Sequence, residues 1–477
     1  VKQERNVSNI TARLERLPFS AFHFRMLIMG GLGFAFEALD AGIIAFILPV
    51  IREQWGLTSL QTGLVASSTY IGFLVGALLS GLLGDRFGRR VVMMWALFIF
   101  CAMTMANAFV HNWQLFFLFR VLAGIGMGAE GAIIAPYLSE FVASRYRGRF
   151  TGALAGFFSF GFVAAALLGY FIVPNGADHW RWALVITAVP VVILLWWRRA
   201  LLESPRWLDN QGRHREADAV VSAIEREITD RGVTLDPVPA SAASGEDVSK
   251  PKGSFLSNLG VLWARPLRRI TAMTWVFWLS ITFCSYAFFT WIPGLLVQQG
   301  MTITKSFSYS IAIYVAQIPG YYSAAYFNDR IGRRATIVTY MFLACLSAIA
   351  LVFVKEPMWV IVASICLSFS MNGVNAGQYA YTPELYPTAV RATGMGAASS
   401  FARLGAIASP TLVGFIYPIL GFAGVFGMTT LVLLTGALAV LFFGVNTTGR
   451  TLEDITGEGG ASGAAAVLSP STARTSR

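Results

Sequence analysis

A chain of 477 residues that is 56% hydrophobic and only 13% charged is too apolar for an ordinary soluble globule. With a mean hydropathy of +0.61 it reads as a polytopic membrane protein. The net charge of +11 does not mark a nucleic-acid surface, because the Lys and Arg residues fall in short loops between apolar runs, where they act as topology signals.

Residues 1–24 read as a cytoplasmic N-terminal segment. Apolar runs of about 20 residues follow at 25–50, 61–84, 91–111, 113–140, 150–173 and 181–199, making an N-terminal six-helix bundle over 25–199. The first run is too long for a signal-peptide core and is expected to stay as a membrane helix. Residues 200–269 form a polar central loop in which SPRWLDNQGRHREADAVVSAIEREITDRG reads as short amphipathic helices. A Pro/Ala/Ser/Gly stretch from Asp236 to Gly253 reads as a linker. Six more runs, at 270–297, 306–327, 335–354, 357–382, 391–417 and 421–445, make a C-terminal bundle over 270–445. The Gly/Ala/Ser/Thr tail at 446–477 is expected to be flexible and cytoplasmic.

With the N-terminus inside, the inner loops collect Lys2, Arg5, Arg13, Arg16, Arg25, Arg86, Arg89, Arg90, Arg145, Arg147, Arg149, the basic residues of 198–269, Arg330, Arg333, Arg334 and Arg391. The outer side receives Arg52, Arg181, Lys305 and Lys355, so both termini are expected in the cytoplasm. The sequons at Asn6 and Asn9 fall on that inner side and are set aside. Cys101, Cys284, Cys345 and Cys366 lie in apolar runs with no CxxC pair and no Cys/His cluster, so free thiols, no metal and no cofactor are expected.

The chain repeats itself. GLLGDRFGRR (81–90) and AYFNDRIGRR (325–334) align at an offset of 244 residues, and the same offset carries Glu140 onto Glu384, Arg147 onto Arg391 and Gly152 onto Gly396. Two homologous six-helix halves follow. Built this way, the chain resembles the major facilitator superfamily over essentially its whole helical length. The nearest likeness is to sugar-porter-like metabolite:proton symporters and organic ion transporters, including bacterial niacin and aromatic-acid transporters. The resemblance rests on the GxxxDRxGRR loop (Gly81, Asp85, Arg86, Gly88, Arg89, Arg90), RVLAGIGMG with Arg120, ESPRWL (203–208), PELYPTAVRATGMG (383–396) and ARLGAIASP (402–410). Three departures weaken a hexose reading: Leu202 stands where sugar porters carry proline before ESPRWL, VNTTGRTLED (445–454) has Val and Asn where they have PETKGRTLEE, and helix seven lacks QQxSG. The resemblance implies an all-α membrane fold of twelve transmembrane helices in two pseudo-symmetric six-helix bundles, working as a monomer in the inner membrane.

Charge in the middle of a membrane helix is a functional signal, since even mild insertion scales assign it about 2.5–3.5 kcal/mol. Glu37 and Asp40 fall in the first run, Arg120 and Glu130 in the fourth and Arg403 in the eleventh. At 1.5 Å per residue, Arg120 and Asp40 lie on the order of 10 and 14 Å from the outer ends of their helices, close enough in depth to pair. The resemblance to sugar transporters implies a proton switch for Asp40 with Arg120. Three acids and two arginines leave one surplus negative charge, which burial neutralises by protonation; Asp40 is the first choice of proton carrier, with Glu37 or Glu130 next. Arg403 presents a permanent planar fork suited to a carboxylate, or serves as partner of Glu37 or Glu130. Tyr286, Gln317, Asn372, Asn375 and Gln378 offer ring and amide contacts for a flat polar substrate. In the loops, Asp85, Arg86, Arg89, Glu140 and Arg147, with Asp329, Arg330, Arg333, Glu384 and Arg391, are expected to form charge locks that break and reform as the halves rock.

These features point to a proton-coupled importer of a small organic anion, an aromatic or heteroaromatic monocarboxylate such as nicotinate, whose partners are substrate, protons and the lipid bilayer. The alternatives are a sugar or polyol symporter, an exporter of lipophilic cations, or a non-transporting sensor. No nucleophile/base set or phosphate-cradling loop suggests an enzyme.

Overall fold

Several helices begin where a side chain can satisfy the first free backbone N–H groups. Thr58 and Gln61 form a reciprocal capping box, Thr58 Oγ1 accepting from Gln61 N (3.2 Å) and Gln61 Oε1 from Thr58 N (2.9 Å). Asn112 Oδ1 accepts from Leu115 N at 2.8 Å, and Thr302 Oγ1 from Lys305 N at 3.3 Å. In this computed structural model, which describes residues 10–198, 201–237, 255–265, 267–387 and 390–447, the first half comprises α1 (Ile10–Glu15), α2 (Ala21–Gln54), α3 (Ser59–Phe87), α4 (Arg89–Asn107), α5 (Trp113–Ser139), α6 (Ser144–Ile172) and α7 (His179–Arg198). The central region holds α8 (Pro205–Asn210), α9 (His214–Thr229) and α10 (Phe255–Leu262). The second half comprises α11 (Arg268–Gln298), α12 (Ile303–Val315), α13 (Gln317–Arg330), α14 (Arg333–Phe353), α15 (Pro357–Tyr381) and α16 (Arg391–Phe443). Lys2, Arg5, Asn6, Asn9, most of the linker and the tail beyond 447 lie outside the described residues.

Nine helices among the described residues are long and apolar enough to cross a membrane. Alpha-16 is two spans joined at Gly421, whose φ of 62° breaks the helix between the expected runs 391–417 and 421–445. The expected run 306–327 is likewise two helices, α12 and α13, parted at Ala316. Pro319 accounts for that break, because it has no N–H to offer the carbonyl of Val315. With α7, and with α12 and α13 as one span, the twelve-span, two-bundle architecture is complete.

In the first half α3 packs on α5 and α2 on α6; in the second, α11 packs on α16 and α14 on α15. The α3–α5 seam brings backbones together at glycine: a Cβ on Gly72 would lie 1.9 Å from Val121 O, and one on Gly124 2.1 Å from Thr69 O. The halves meet through α3 on α16, α6 on α12 and α2 on α11.

The central region clasps one end of the first half, here termed the loop face. Ala217, Val221, Ile224 and Ile228 form the buried stripe of α9 at helical spacing. Arg13 of α1 reaches Asp218, Ser222 and Glu225 on that helix, and Arg16 also reaches Glu225. Burial opposes ionisation of Glu225, but the hydrogen bonds from Arg13 and Arg16 outweigh it and hold the carboxyl below the usual glutamate range.

Candidate functional site

Asp40 on α2 and Arg120 on α5 meet in the interior of the first half. Arg120 Nη1 lies 2.8 Å from Asp40 Oδ2 and neither side chain is exposed to solvent. The pair is saturated with hydrogen bonds: Arg120 Nη2 donates to Asp40 O (3.1 Å), Arg120 Nε to Thr69 Oγ1 (3.0 Å), and Thr104 Oγ1 to Asp40 Oδ1 (3.2 Å). Such saturation is what makes a buried ion pair tolerable. Thr69 and Thr104 are absent from the sequence-based site; the only trace they leave is a hydroxyl inside an apolar run.

Arg403 on α16 faces the other half. Its guanidinium carbon sits 4.1 Å from the centroid of the Phe73 ring on α3, and Nη1 donates to Tyr286 Oη at 3.5 Å. Tyr286 on α11 packs in turn against Tyr70 of α3, ring centroids 4.4 Å apart. Glu37 and Tyr379 are near enough to act electrostatically on Arg403. Glu37 is buried, its Oε2 lying 3.1 Å from where a Cβ on Gly131 would stand, with Phe73 Cζ 3.3 Å from the same point. Glu37, Phe73, Tyr70, Tyr286, Tyr379 and Arg403 therefore surround one interface between the halves. Tyr70, Phe73 and Tyr379 are missing from the expected set, because an aromatic residue in an apolar run ordinarily packs or meets lipid.

The expected amides divide. Gln317, at the α12–α13 break, and Gln378 on α15 are both buried, and Gln317 Nε2 and Gln378 Oε1 have no hydrogen-bond partner among the described residues. Asn372 turns back onto its own helix, Nδ2 donating to Ser368 O at 3.2 Å, and Asn375 is half-buried. Glu130 is buried on α5 beside Gly131.

On the opposite face from the loops, aromatic rings close the halves together: Phe46 against Phe307 and Tyr314 (5.0 and 5.7 Å), and Phe162 against Phe289 and Tyr314 (6.2 and 6.1 Å). Ser67 Oγ donates across the halves to Ile407 O at 2.7 Å.

At the loop face the ion pairs repeat with the sequence offset. Arg89 pairs with Glu140, and Arg333 Nε with Glu384 Oε1 at 3.1 Å. Arg147 Nη2 donates to Val142 O (3.3 Å), and Arg391 Nε to the corresponding Tyr386 O (3.5 Å). Gly88 and Gly332 occupy matching turns at φ 96° and 89°, a region that favours glycine. Asp329 is exposed and lies 3.7 Å from Arg333, while Arg86 and Arg330 lie over Phe87 and Tyr326. The side chain of Asp85 lies outside the described residues. Each of these ion pairs stays within one half. Glu140 also accepts from Ser204 of ESPRWL, and Glu203 of that motif accepts from Arg90 N at 3.3 Å.

The family model described as "Sugar (and other) transporter" matches residues 27–458. The chain belongs to this family of major facilitator transporters. The niacin transporter NiaP of Acinetobacter baylyi is 37% identical over 448 residues, spanning 94% of this chain and 99% of its own length. The putative niacin/nicotinamide transporter NiaP of Bacillus subtilis is 31% identical over 430 residues, spanning 90% and 98%. Among solved structures, the partially occluded, inward-open xylose transporter XylE from E. coli superposes with a TM-score of 0.73 over 91% of this chain and 100% of that one. At 16% identity that likeness shows the fold alone. The transporter is a multi-pass membrane protein that moves a small molecule.

Proposed function

We propose that this transporter imports a small organic anion, an aromatic or heteroaromatic monocarboxylate such as nicotinate, together with protons. The observation that carries this reading is Arg403, a guanidinium inside the membrane seated on Phe73 and beside Tyr286. Its charge persists in every state, its fork matches a carboxylate with two parallel hydrogen bonds, and its aromatic neighbours suit a flat ring. Relatives named as niacin transporters support that substrate class. Gln317 Nε2 and Gln378 Oε1, which have no hydrogen-bond partner among the described residues, supply polar contacts to the ring.

The loop face is cytoplasmic, with both termini inside, as its arginine-rich loops favour. The aromatic closure on the opposite face supports reading this as an inward-facing state. Residues 25–199 and 270–445 rock as two bodies about the Arg403 interface, and the Arg89–Glu140 and Arg333–Glu384 pairs rearrange with them. Asp40 takes its proton when rocking loosens its hold on Arg120, because a buried carboxylate without its partner is neutralised. One proton moving with one anion is electroneutral and draws on the pH gradient alone, whereas each further proton per anion adds a voltage term of about 2.3 kcal/mol per 100 mV.

The test is radiolabelled nicotinate uptake into proteoliposomes that are acidic outside. Accumulation above equilibrium, collapsed by a protonophore, is expected. Asp40→Asn should abolish accumulation, and Arg403→Ala should weaken nicotinate affinity by tenfold or more, about 1.4 kcal/mol. Accumulation of a hexose or a lipophilic cation in place of any carboxylate overturns the reading.

A further inference from the structure

Glu37 and Arg403 come from different halves, and Gly131 is where their surroundings converge. The missing side chain at Gly131 leaves room for Glu37 Oε2 and for the edge of Phe73, the ring that carries the Arg403 guanidinium on its face. The charged and titratable groups around this point are Arg403 on α16, Tyr379 on α15, Tyr286 on α11 and Tyr70 on α3, with Asp40 on the same helix as Glu37 and Glu130 next to Gly131 on α5. Asp40 is committed to Arg120 and Thr104. Glu37 is thus an acid of the first half set against the cation of the second.

We propose that Glu37 is the stand-in anion of the empty carboxylate site. It counters Arg403 while no substrate is bound, and it takes up a proton when a substrate carboxylate replaces it. This rests on the reading of Arg403 as a carboxylate clamp. The physical argument is charge balance. Arg403 cannot shed its proton, so the empty site requires a nearby anion. A substrate carboxylate brings a second one, and two carboxylates cannot both stay ionised against one guanidinium in a dry site. The substrate carboxylate gains the bidentate geometry, so the proton goes to a Glu37 carboxylate oxygen. The two acids of α2 then answer different events: Glu37 reports occupancy and Asp40 reports the rocking of the halves.

Calorimetric titration of nicotinate into the full-length purified transporter, in buffers of different ionisation enthalpy between pH 6 and 8, counts protons taken up on binding. Wild type should take up close to one proton per nicotinate where the empty-site Glu37 is ionised, with affinity weakening by up to about tenfold per pH unit. Glu37→Gln should bind nicotinate without proton uptake and with a flat pH profile, whereas Asp40→Asn should keep the uptake. Gly131→Ala, which sets a methyl group 3.1 Å from Glu37 Oε2, serves if Glu37→Gln does not fold, and should lower uptake below the wild-type value. Proton uptake that survives in Glu37→Gln, or is unchanged in Gly131→Ala, overturns the role of Glu37 while leaving the carboxylate reading intact. Wild type that binds no carboxylate overturns both.

Discussion

Gly124→Ala tests whether the α3–α5 seam positions the buried ion pair. The new methyl group would lie 2.1 Å from Thr69 O and 3.1 Å from Phe73 N. A carbon meets a carbonyl oxygen at about 3.3–3.6 Å, so the helices must part locally by roughly 1.2 Å. Arg120 lies one turn earlier on α5 and holds Thr69 Oγ1 at 3.0 Å. That separation carries the bond past the length at which it counts as one. Overpacking costs about 1–3 kcal/mol, and losing a hydrogen bond to a buried charge adds about 1.5–3 kcal/mol. At about 2–4 °C per kcal/mol for a bundle of this size, the melting midpoint should fall by roughly 5–25 °C. Intrinsic tryptophan fluorescence of detergent-purified protein reads the midpoint. Gly427→Ala is the control: it meets nothing within 4 Å, and its greater helix propensity should leave stability unchanged or slightly raised. A Gly124→Ala midpoint within about 2 °C of wild type, or an equal fall in Gly427→Ala, refutes the reasoning.

The clasp between α1 and α9 should be insensitive to pH in the physiological range and fail only in acid. Glu225 is held below its usual value of 4.5, so its contribution is fully present above that pH and is lost as pH falls through the lower folded value; hydrogen exchange of α1 should rise only there, and a rise near pH 6 would contradict the assignment. At the loop face, Arg333→Glu sets like charges where Arg333 and Glu384 now meet at 3.1 Å. Nicotinate exchange should drop sharply in that variant and recover in part when Glu384→Arg is added; a double variant no better than the single one would show that the pair does not act as a unit.

Hydrophobic run length is enough to place eleven of the twelve expected spans within a few residues of a helical segment, because a membrane span leaves little freedom in length. The run 306–327 is harder, because Pro319 divides a helix whose apolar pattern continues through it. The runs 391–417 and 421–445 stay distinct in the structure, parted at Gly421. The Asp40–Arg120 pair was legible because two isolated charges at similar depth have few other ways to be satisfied. Tyr70, Phe73 and Tyr379 were not legible. Phe73 lies against Arg403 because α3 packs on α16, more than 300 residues away, Tyr70 meets Tyr286 of α11, and Tyr379 acts on Arg403 from α15, contacts that leave no periodic trace in these helices. The cost of burying an amide in lipid points to Gln317, Asn372, Asn375 and Gln378 alike; the structure separates them, because Asn372 bonds to the carbonyl of Ser368 while Gln317 Nε2 and Gln378 Oε1 have no partner among the described residues.

The internal repeat separates what moves from what binds. At the 244-residue offset the loop-face groups match in kind: Arg89 with Arg333, Glu140 with Glu384, Arg147 with Arg391 and Gly88 with Gly332. The buried charges do not. Glu37, Asp40, Arg120 and Glu130 fall on Ile281, Cys284, Ser364 and Val374, and Arg403 falls on Ser159. Matched ion pairs brace the loop face of each half in the same way, Arg89 with Glu140 in one and Arg333 with Glu384 in the other. A binding site for one small anion has no use for that symmetry, because its carboxylate and its ring need different walls. The buried acids of the first half and Arg403 of the second give the interface a polarity that a symmetric site would lack. A carboxylate entering between the halves is therefore drawn to the second half and repelled by the first until an acid there is protonated, which is the physical basis for linking the proton to the anion.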